Sequence, residues 1–361
     1  MSLLFDVRPN ATPRSDAARA EILAAPGFGV SFTDHMAVAT WTEQDGWHDA
    51  AIVPYGPFQL DPATAVLHYA QEIFEGLKAY RHADGTVWLF RPDRNADRFA
   101  RSAARMALPV LPAEEFLGSI EALVTADLAW VPTGGEQSLY LRPFLFASES
   151  FLGVRAAKRV TYCCIASPVA AYFASGVQPV SIWISTTYTR AAPGGTGAAK
   201  CGGNYAASLV AQQEAARQGC DQVMFADAVE NAYVEELGGM NVYLVTADNE
   251  LVTPELNGSI LEGVTRDSIL TMSKEYGLTP VERRVSIAEL LDGVGSGHVR
   301  EVFACGTAAV VTPIGSLHHE GGQAVVGGGH PGETTMALRT GLLDIQYGRV
   351  PDSHGWLHQI A

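Results

Sequence analysis

The chain has 361 residues, 47% hydrophobic and 17% charged, and its length calls for two globular domains because a single core seldom serves so many residues. A formal charge of −15 disfavours nonspecific binding to nucleic acid, which needs a concentrated basic face. Its apolar segments are broken by charge or Gly well before the roughly 18 residues that cross a bilayer, so no membrane helix is expected.

In chain order, the first fourteen residues place Asp6, Arg8 and Pro9 where a secretory signal would need an apolar run, which points to the cytoplasm. Ala79 to Phe90 reads as two strands around a His-Ala-Asp-Gly turn, followed by a helix from about Pro92 to Met106. Arg94, Arg98, Arg101 and Arg105 recur along that helix at the spacing of a solvated face, with room for one of them to meet a single phosphate. A helix over Ala113 to Ala129 and a buried strand over Ser138 to Phe146 complete an α+β layout. Domain one is thus expected over residues 1–166. Residues 167–176, SPVAAYFASG, mix Pro, Gly and small residues between two strand-like runs and are the expected connection.

The second domain, residues 177–361, opens with a strand at Val180 to Ser185 and a Gly-rich loop from Pro193 to Gly203. A helix from about Asn204 to Gln218 follows. Strands are predicted at Gln222 to Ala226, Asn241 to Thr246 and Glu301 to Ala304, with helices over Thr265 to Tyr276 and Thr334 to Tyr347. The five cysteines have no CxxC spacing and read as reduced thiols. The histidines show no HExxH, and His318 with His319, ahead of a Gly-Gly turn, reads as solvated loop, so no metal site is expected.

Only four lysines occur, against twenty arginines. Lys158 reads as a strand-entry residue, Lys274 as the polar side of a helix, and Lys78 as a partner of nearby Glu75. Lys200 differs: it sits in GGTGAAKCGGN with no local counter-charge, either on a flexible loop or where a ligand approaches the backbone closely. A partly desolvated lysine has the lowered pKa an amine needs to attack a carbonyl. A P-loop fails here, because Ala199 precedes the lysine and Cys201 takes the magnesium-ligand position. A dinucleotide fingerprint fails on glycine spacing.

Other residues could complete a site around a pyridoxal cofactor, which needs a phosphate cradle, an acid for its ring nitrogen and a donor for its phenolate oxygen. Gly263-Val264-Thr265 begins a predicted helix, suited to a phosphate or, equally, to a Thr N-cap. Glu236, in VEELGGMN before an apolar strand, is a buried carboxylate whose partner is either a pyridinium N–H or a distant arginine. Tyr205, five residues after Lys200, is a site hydroxyl or a core tyrosine.

Taken together, FGVSFTDHM, LHYAQEIFEGLKAYR, DRFARSA, SLYLRPF, GTGAAKCGGNYAASL, EELGGMN, GVTRDS and ACGTAAVVTP resemble, in order, the branched-chain aminotransferases of fold type IV. The resemblance covers most of the chain. It implies a two-domain α/β (α+β) fold, a small N-terminal domain and a larger C-terminal domain with a pseudo-barrel sheet. It also implies pyridoxal 5′-phosphate bound as a Schiff base to Lys200, Glu236 on the pyridine nitrogen and Tyr205 on the ring oxygen. Arg98, the backbone at Val264 and Thr265, and Thr307 would take the phosphate. Phe28, Tyr69 and Tyr140 would form an apolar substrate pocket with Arg142 as its charged exception, and the Ala308 N–H would meet the α-carboxylate. Gly239 stands where mammalian members have Thr, and Ala309 and Thr312 replace their redox-active cysteines, so that kind of redox regulation is not expected. The implied partners are small-molecule substrates, namely branched-chain amino acids, glutamate and 2-oxo acids, and a second copy in a homodimer. D-amino acid aminotransferase and aminodeoxychorismate lyase share the fold; TDHM, FEGLKAYR and LYLRP argue against both.

Overall fold

A computed structural model describes residues 3–170 and 176–361. The chain forms two compact units. The first comprises Met1–Tyr172 with Ala199–Gly202 and Asp344–Ala361, the second Phe173–Ala198 with Gly203–Leu343. Each unit is a mixed layer of helices on one nine-stranded sheet.

In the first unit the hydrogen-bonded order of strands is Asp6–Val7, Gly46–Pro54, His35–Thr42, Arg159–Val169, Ser138–Ala147, Leu77–Arg81, Val87–Phe90 and Leu357–Gln359. The short strand Glu72–Phe74 joins Ser138–Ala147 from the side. Along Ser138–Ala147 the register pairs Phe144 with Phe74 and Tyr140 with Lys78. Strand periodicity then sets Tyr140, Arg142 and Phe144 on one face, and all three are half-buried where their neighbours are buried. The opposite face packs Leu139, Leu141 and Leu145 into a core with Phe99, Phe116 and Trp130.

The helix Pro92–Arg105 begins with Pro at its first turn and carries buried Asn95, Arg98, Phe99 and Ser102 on one side. Arg94, Arg101 and Arg105 are exposed, as the helical spacing required, whereas Arg98 is only 4% exposed.

In the second unit the order is Val234–Leu237, Gln222–Ala226, Val180–Ser185, Val310–His319, Val299–Gly306, Asn241–Thr246, Glu250–Thr253 and Thr279–Glu282, with Gly322–Val325 on Val310–His319. Its core gathers Ile182, Met224, Val242, Leu244, Val302 and Leu317. Asn241–Thr246 is buried at all six positions, the pattern of a strand covered on both faces.

Three sequence expectations are corrected. Ser167–Val169 continue the strand Arg159–Val169, with Pro168 opposite Leu139, and do not open a connecting loop; residues 171–175 of that expectation lie outside the described residues. His318 and His319 end the strand Val310–His319, half-buried, with His318 Nε2 3.0 Å from Ser316 Oγ. Lys78, expected to pair with nearby Glu75, is 7% exposed on Leu77–Arg81, and Glu75 pairs with Arg98 instead. The five cysteines are all free and buried. Among the described residues no helix is long and apolar enough to cross a membrane, and no group of three or more His, Cys, Asp or Glu is placed to hold a metal ion.

Candidate active site

In the first unit, Lys200 is half-buried and its backbone is fixed on both sides: Phe74 N–H donates to its carbonyl at 2.9 Å, and its own N–H donates to Ser102 Oγ at 3.0 Å. Neighbouring Ala199 and Cys201 are 2% exposed, so the segment is packed and not a flexible loop. The Lys200 ammonium lies 4.8 Å from the centre of the Phe74 ring, a cation–π arrangement.

Three consecutive residues, Phe74, Glu75 and Gly76, organise this region. Glu75 is fully buried and accepts from Arg98 Nε at 2.6 Å and Nη2 at 2.9 Å, a bidentate pair, and from Asn95 Nδ2 at 2.8 Å. Burial alone would raise its pKa. The Arg98 charge and hydrogen bonds, then the Lys200 charge and Asn95, outweigh that and hold it below the usual glutamate range. Glu75 is therefore the counter-charge of Arg98, with Lys200 within its field, and not the partner the spacing suggested for Lys78. Gly76 is required by a close approach, since a Cβ there would fall 2.0 Å from the Tyr140 hydroxyl. Sequence reasoning missed this trio as a unit. The signal for it was an isolated carboxylate followed by Gly inside an apolar strand run.

Because the folded-state pKa of Glu75 is lowered, its stabilising contribution is present at neutral pH and is lost as pH falls below the ordinary glutamate value. Glu75→Gln is expected to cost about 1–3 kcal/mol, the loss of a charged hydrogen-bond acceptor from a buried network. Thermal unfolding at pH 7 and pH 4 checks it, the difference between wild type and variant narrowing at the lower pH.

On the exposed side of this strand pair, the Arg142 guanidinium lies over two rings, 4.9 Å from Phe74 and 5.3 Å from Tyr140. Its Nη2 donates to the Tyr140 hydroxyl at 3.2 Å, while its Nε is buried without a hydrogen-bond partner among the described residues. Phe28 stacks edge-on against Tyr140, with ring centres 5.5 Å apart. Phe28 and Tyr69 are 42% and 39% exposed, so neither is core. Phe28, Tyr140 and Arg142 are thus brought together. The Tyr69 hydroxyl donates to the Leu152 carbonyl.

In the second unit, Glu236 is 2% exposed on Val234–Leu237. The arginine left open by the sequence is Arg190: its Nη2 reaches Glu236 Oε1 at 2.5 Å, and Leu261 N–H donates to the same oxygen at 2.8 Å. Arg190 also donates to the carbonyls of Gly197 and Ser259 at 3.0 and 2.8 Å. It thereby ties the Gly-rich loop to the Glu236 strand. Gly197 has to be Gly, since a Cβ would lie 2.2 Å from the Ser259 carbonyl oxygen.

The helix Val264–Met272 starts after Gly263, which offers no side-chain cap, and Thr265 is buried in its first turn. The Thr N-cap reading is thus corrected. Its first-turn N–H groups, with the positive end of the helix dipole, suit an anion. Gly239 lies beside the Tyr205 ring, 3.5 Å from a hypothetical Cβ. Thr307 and Ala308 are half-buried in the turn between Val299–Gly306 and Val310–His319.

The sequence matches the family described as amino-transferase class IV over residues 72–317. The chain belongs to this family, in its branched-chain-amino-acid branch. It is similar to the probable branched-chain-amino-acid aminotransferase of Streptomyces coelicolor, 57% identical over 358 residues and 99% of both chains. The branched-chain-amino-acid aminotransferase of Mycolicibacterium smegmatis is 53% identical over 362 residues, 99% of this chain and 98% of the other. Among solved structures, the branched-chain amino acid aminotransferase of Escherichia coli superposes with a TM-score of 0.75 at 29% identity, covering 90% of this chain and 100% of that one. The T.th. branched-chain amino acid aminotransferase, solved with pyridoxamine 5′-phosphate, gives 0.74 at 28% identity, covering 90% and 99%. The expected type IV fold with mixed α/β sheets is borne out, and the chain is an aminotransferase.

Proposed function

We propose that the enzyme transfers the amino group of leucine, isoleucine or valine reversibly to 2-oxoglutarate, in two half-reactions, giving glutamate and branched 2-oxo acids. The observation that carries this reading is identity of 53–57% over nearly the whole length of branched-chain-amino-acid aminotransferases. The T.th. enzyme has been solved both with N-(5′-phosphopyridoxyl)-L-glutamate and with 4-methylvaleric acid, an acidic-tailed and an apolar-tailed ligand. That pairing supports a site taking both kinds of side chain.

The residues present suit pyridoxal 5′-phosphate. Lys200 offers an amine on a rigid segment, the helix start at Val264 and Thr265 offers uncapped N–H groups, and Glu236 offers a buried carboxylate. When bound, the cofactor supplies the electron sink for loss of the substrate α-proton. Lys200 would be its covalent anchor and, once displaced by the substrate amine, the base that takes and returns that proton. Glu236 would hold the ring nitrogen protonated, and Tyr205 would donate to the ring oxygen. Arg98, Val264, Thr265 and Thr307 would bind the phosphate. Ala308 N–H would hold the substrate α-carboxylate, with Gly239 leaving room beside it, while Phe28, Tyr69 and Tyr140 line the apolar end and Arg142 meets a distal carboxylate.

The test is direct: the purified protein should absorb in the visible region, and leucine should bleach the band while 2-oxoglutarate restores it. A colourless protein, or a band indifferent to leucine, would reject the reading. Glu236→Gln is expected to retain the cofactor but slow the proton-transfer step, because a neutral amide cannot balance a protonated ring nitrogen. Stopped-flow absorbance with leucine checks it, and an unaltered rate at full cofactor content would remove Glu236 from that role.

The working form is proposed to be a cytoplasmic homodimer with the active site at or near the subunit interface. Sedimentation at assay concentration should give about twice the 38.5 kDa chain mass. A fully active monomer would sink that proposal.

A further inference from the structure

Glu236 and Asn241, five residues apart in VEELGGMN, are both buried, at 2% and 5% exposed, and both belong to the second unit. Leu237 N–H donates to the Met240 carbonyl at 2.9 Å and closes a tight turn, so the two side chains stand on the strands Val234–Leu237 and Asn241–Thr246 that flank it. They grip the same residue, Leu261, from its two ends. Its N–H donates to Glu236 Oε1 at 2.8 Å, and its carbonyl accepts from Asn241 Nδ2 at 3.0 Å. Two residues further on, Gly263 packs directly on the Asn241 amide, since a Cβ there would collide with Oδ1. Gly263 is the N-cap of the helix Val264–Met272, whose first-turn N–H groups suit an anion.

A backbone link this short transmits displacement. Leu261 and Gly263 are two Cα–Cα steps of about 3.8 Å apart along the chain, so a shift of the Leu261 carbonyl is passed to the helix start. Without Asn241 that carbonyl is a buried acceptor lacking its donor, which drives the segment to rearrange. We propose that Asn241 is a positioning residue for the cofactor phosphate, holding the helix start at Gly263, Val264 and Thr265 in register with Glu236. This rests on the reading of Glu236, Val264 and Thr265 given above. One rigid connection then fixes the group that meets the ring nitrogen relative to the groups that meet the phosphate. A helix start out of place by about 1 Å loses N–H···O bonds, which hold only over roughly 2.7–3.2 Å.

The experiment titrates the full-length protein, stripped of cofactor by dialysis, with pyridoxal 5′-phosphate and with pyridoxal, which keeps the ring nitrogen and the aldehyde but has no phosphate. The visible band reports both affinities. Wild type should favour the phosphorylated form strongly. Asn241→Leu keeps the size of the side chain and removes its donor, and should lower that preference roughly tenfold, the effect of one buried hydrogen bond left unmade. Pyridoxal affinity itself should change less than about threefold. Gly263→Ala presses on the same contact from the helix side, and should lower the preference in the same direction. Thermal unfolding of the cofactor-free variants identifies folded protein, and if Asn241→Leu does not fold, Gly263→Ala decides. A preference kept at the wild-type value in a folded variant, or equal losses for the two ligands, overturns the proposal and leaves Asn241 a residue of the fold alone. Wild type that binds pyridoxal as tightly as its phosphate overturns the reading of the phosphate site as well.

Discussion

Lys200→Ala is expected to reduce turnover of leucine at least about 10⁴-fold, since the proton-transfer role alone reaches the upper range for general acid–base groups and the covalent role is lost with it. The contacts that hold the segment are made by the backbone, Phe74 N–H to the Lys200 carbonyl and Lys200 N–H to Ser102 Oγ. Alanine keeps both. The variant should therefore fold normally, and its unfolding temperature should lie close to that of wild type while the leucine-sensitive visible band disappears. Turnover above a trace would transfer the role to another amine. Lys78 is buried, while Lys158 pairs with Glu43 at the surface and Lys274 is exposed.

The contrast among these lysines also indicates what a sequence reveals. Lys200 stands out from composition alone, because small residues on both sides remove every nearby counter-charge. Strands whose hydrophobic pattern is uninterrupted are equally legible: Val180–Ser185, Gln222–Ala226 and Asn241–Thr246 form where the apolar runs lie. Pairings across long separations are not legible in this way. Local spacing assigns Glu75 to a lysine three residues away, but its partner Arg98 lies 23 residues on, brought in by a helix that returns over the strand. Arg190, in the loop after Val180–Ser185, likewise reaches Glu236 on a strand much later in the chain. Buried charges select partners by geometry, and local spacing records only those on the same element.

Proline misleads for a related reason. Pro168 reads as a loop residue because it donates no hydrogen bond, but a strand position whose N–H is not needed by the ladder accommodates it. Opposite Leu139 it extends a strand by the residues expected to begin a connection. The Thr N-cap fails because Gly263 takes the cap position and Thr265 moves inside the helix, which leaves the helix start without a side-chain cap.

Arg142→Met is expected to weaken the 2-oxoglutarate half-reaction severely and the leucine half-reaction much less. Loss of one partner from a desolvated charge pair costs about 3–5 kcal/mol, which corresponds to roughly a hundredfold or more in affinity. Methionine replaces the alkyl part of the side chain and can still pack against the Phe74 and Tyr140 rings that the guanidinium now covers at 4.9 and 5.3 Å. An apolar substrate should therefore find a surface of similar shape. The Tyr140 hydroxyl loses the donor that now reaches it at 3.2 Å, and the resulting small loss, about 0.5–1.5 kcal/mol for a neutral hydrogen bond, should fall on both substrates alike. Single-turnover kinetics on each half-reaction separates these effects, since the rate with leucine and the rate with 2-oxoglutarate are read independently. Equal losses for the two would mean that Arg142 supports the strand face or the α-carboxylate, and that another residue meets the distal carboxylate.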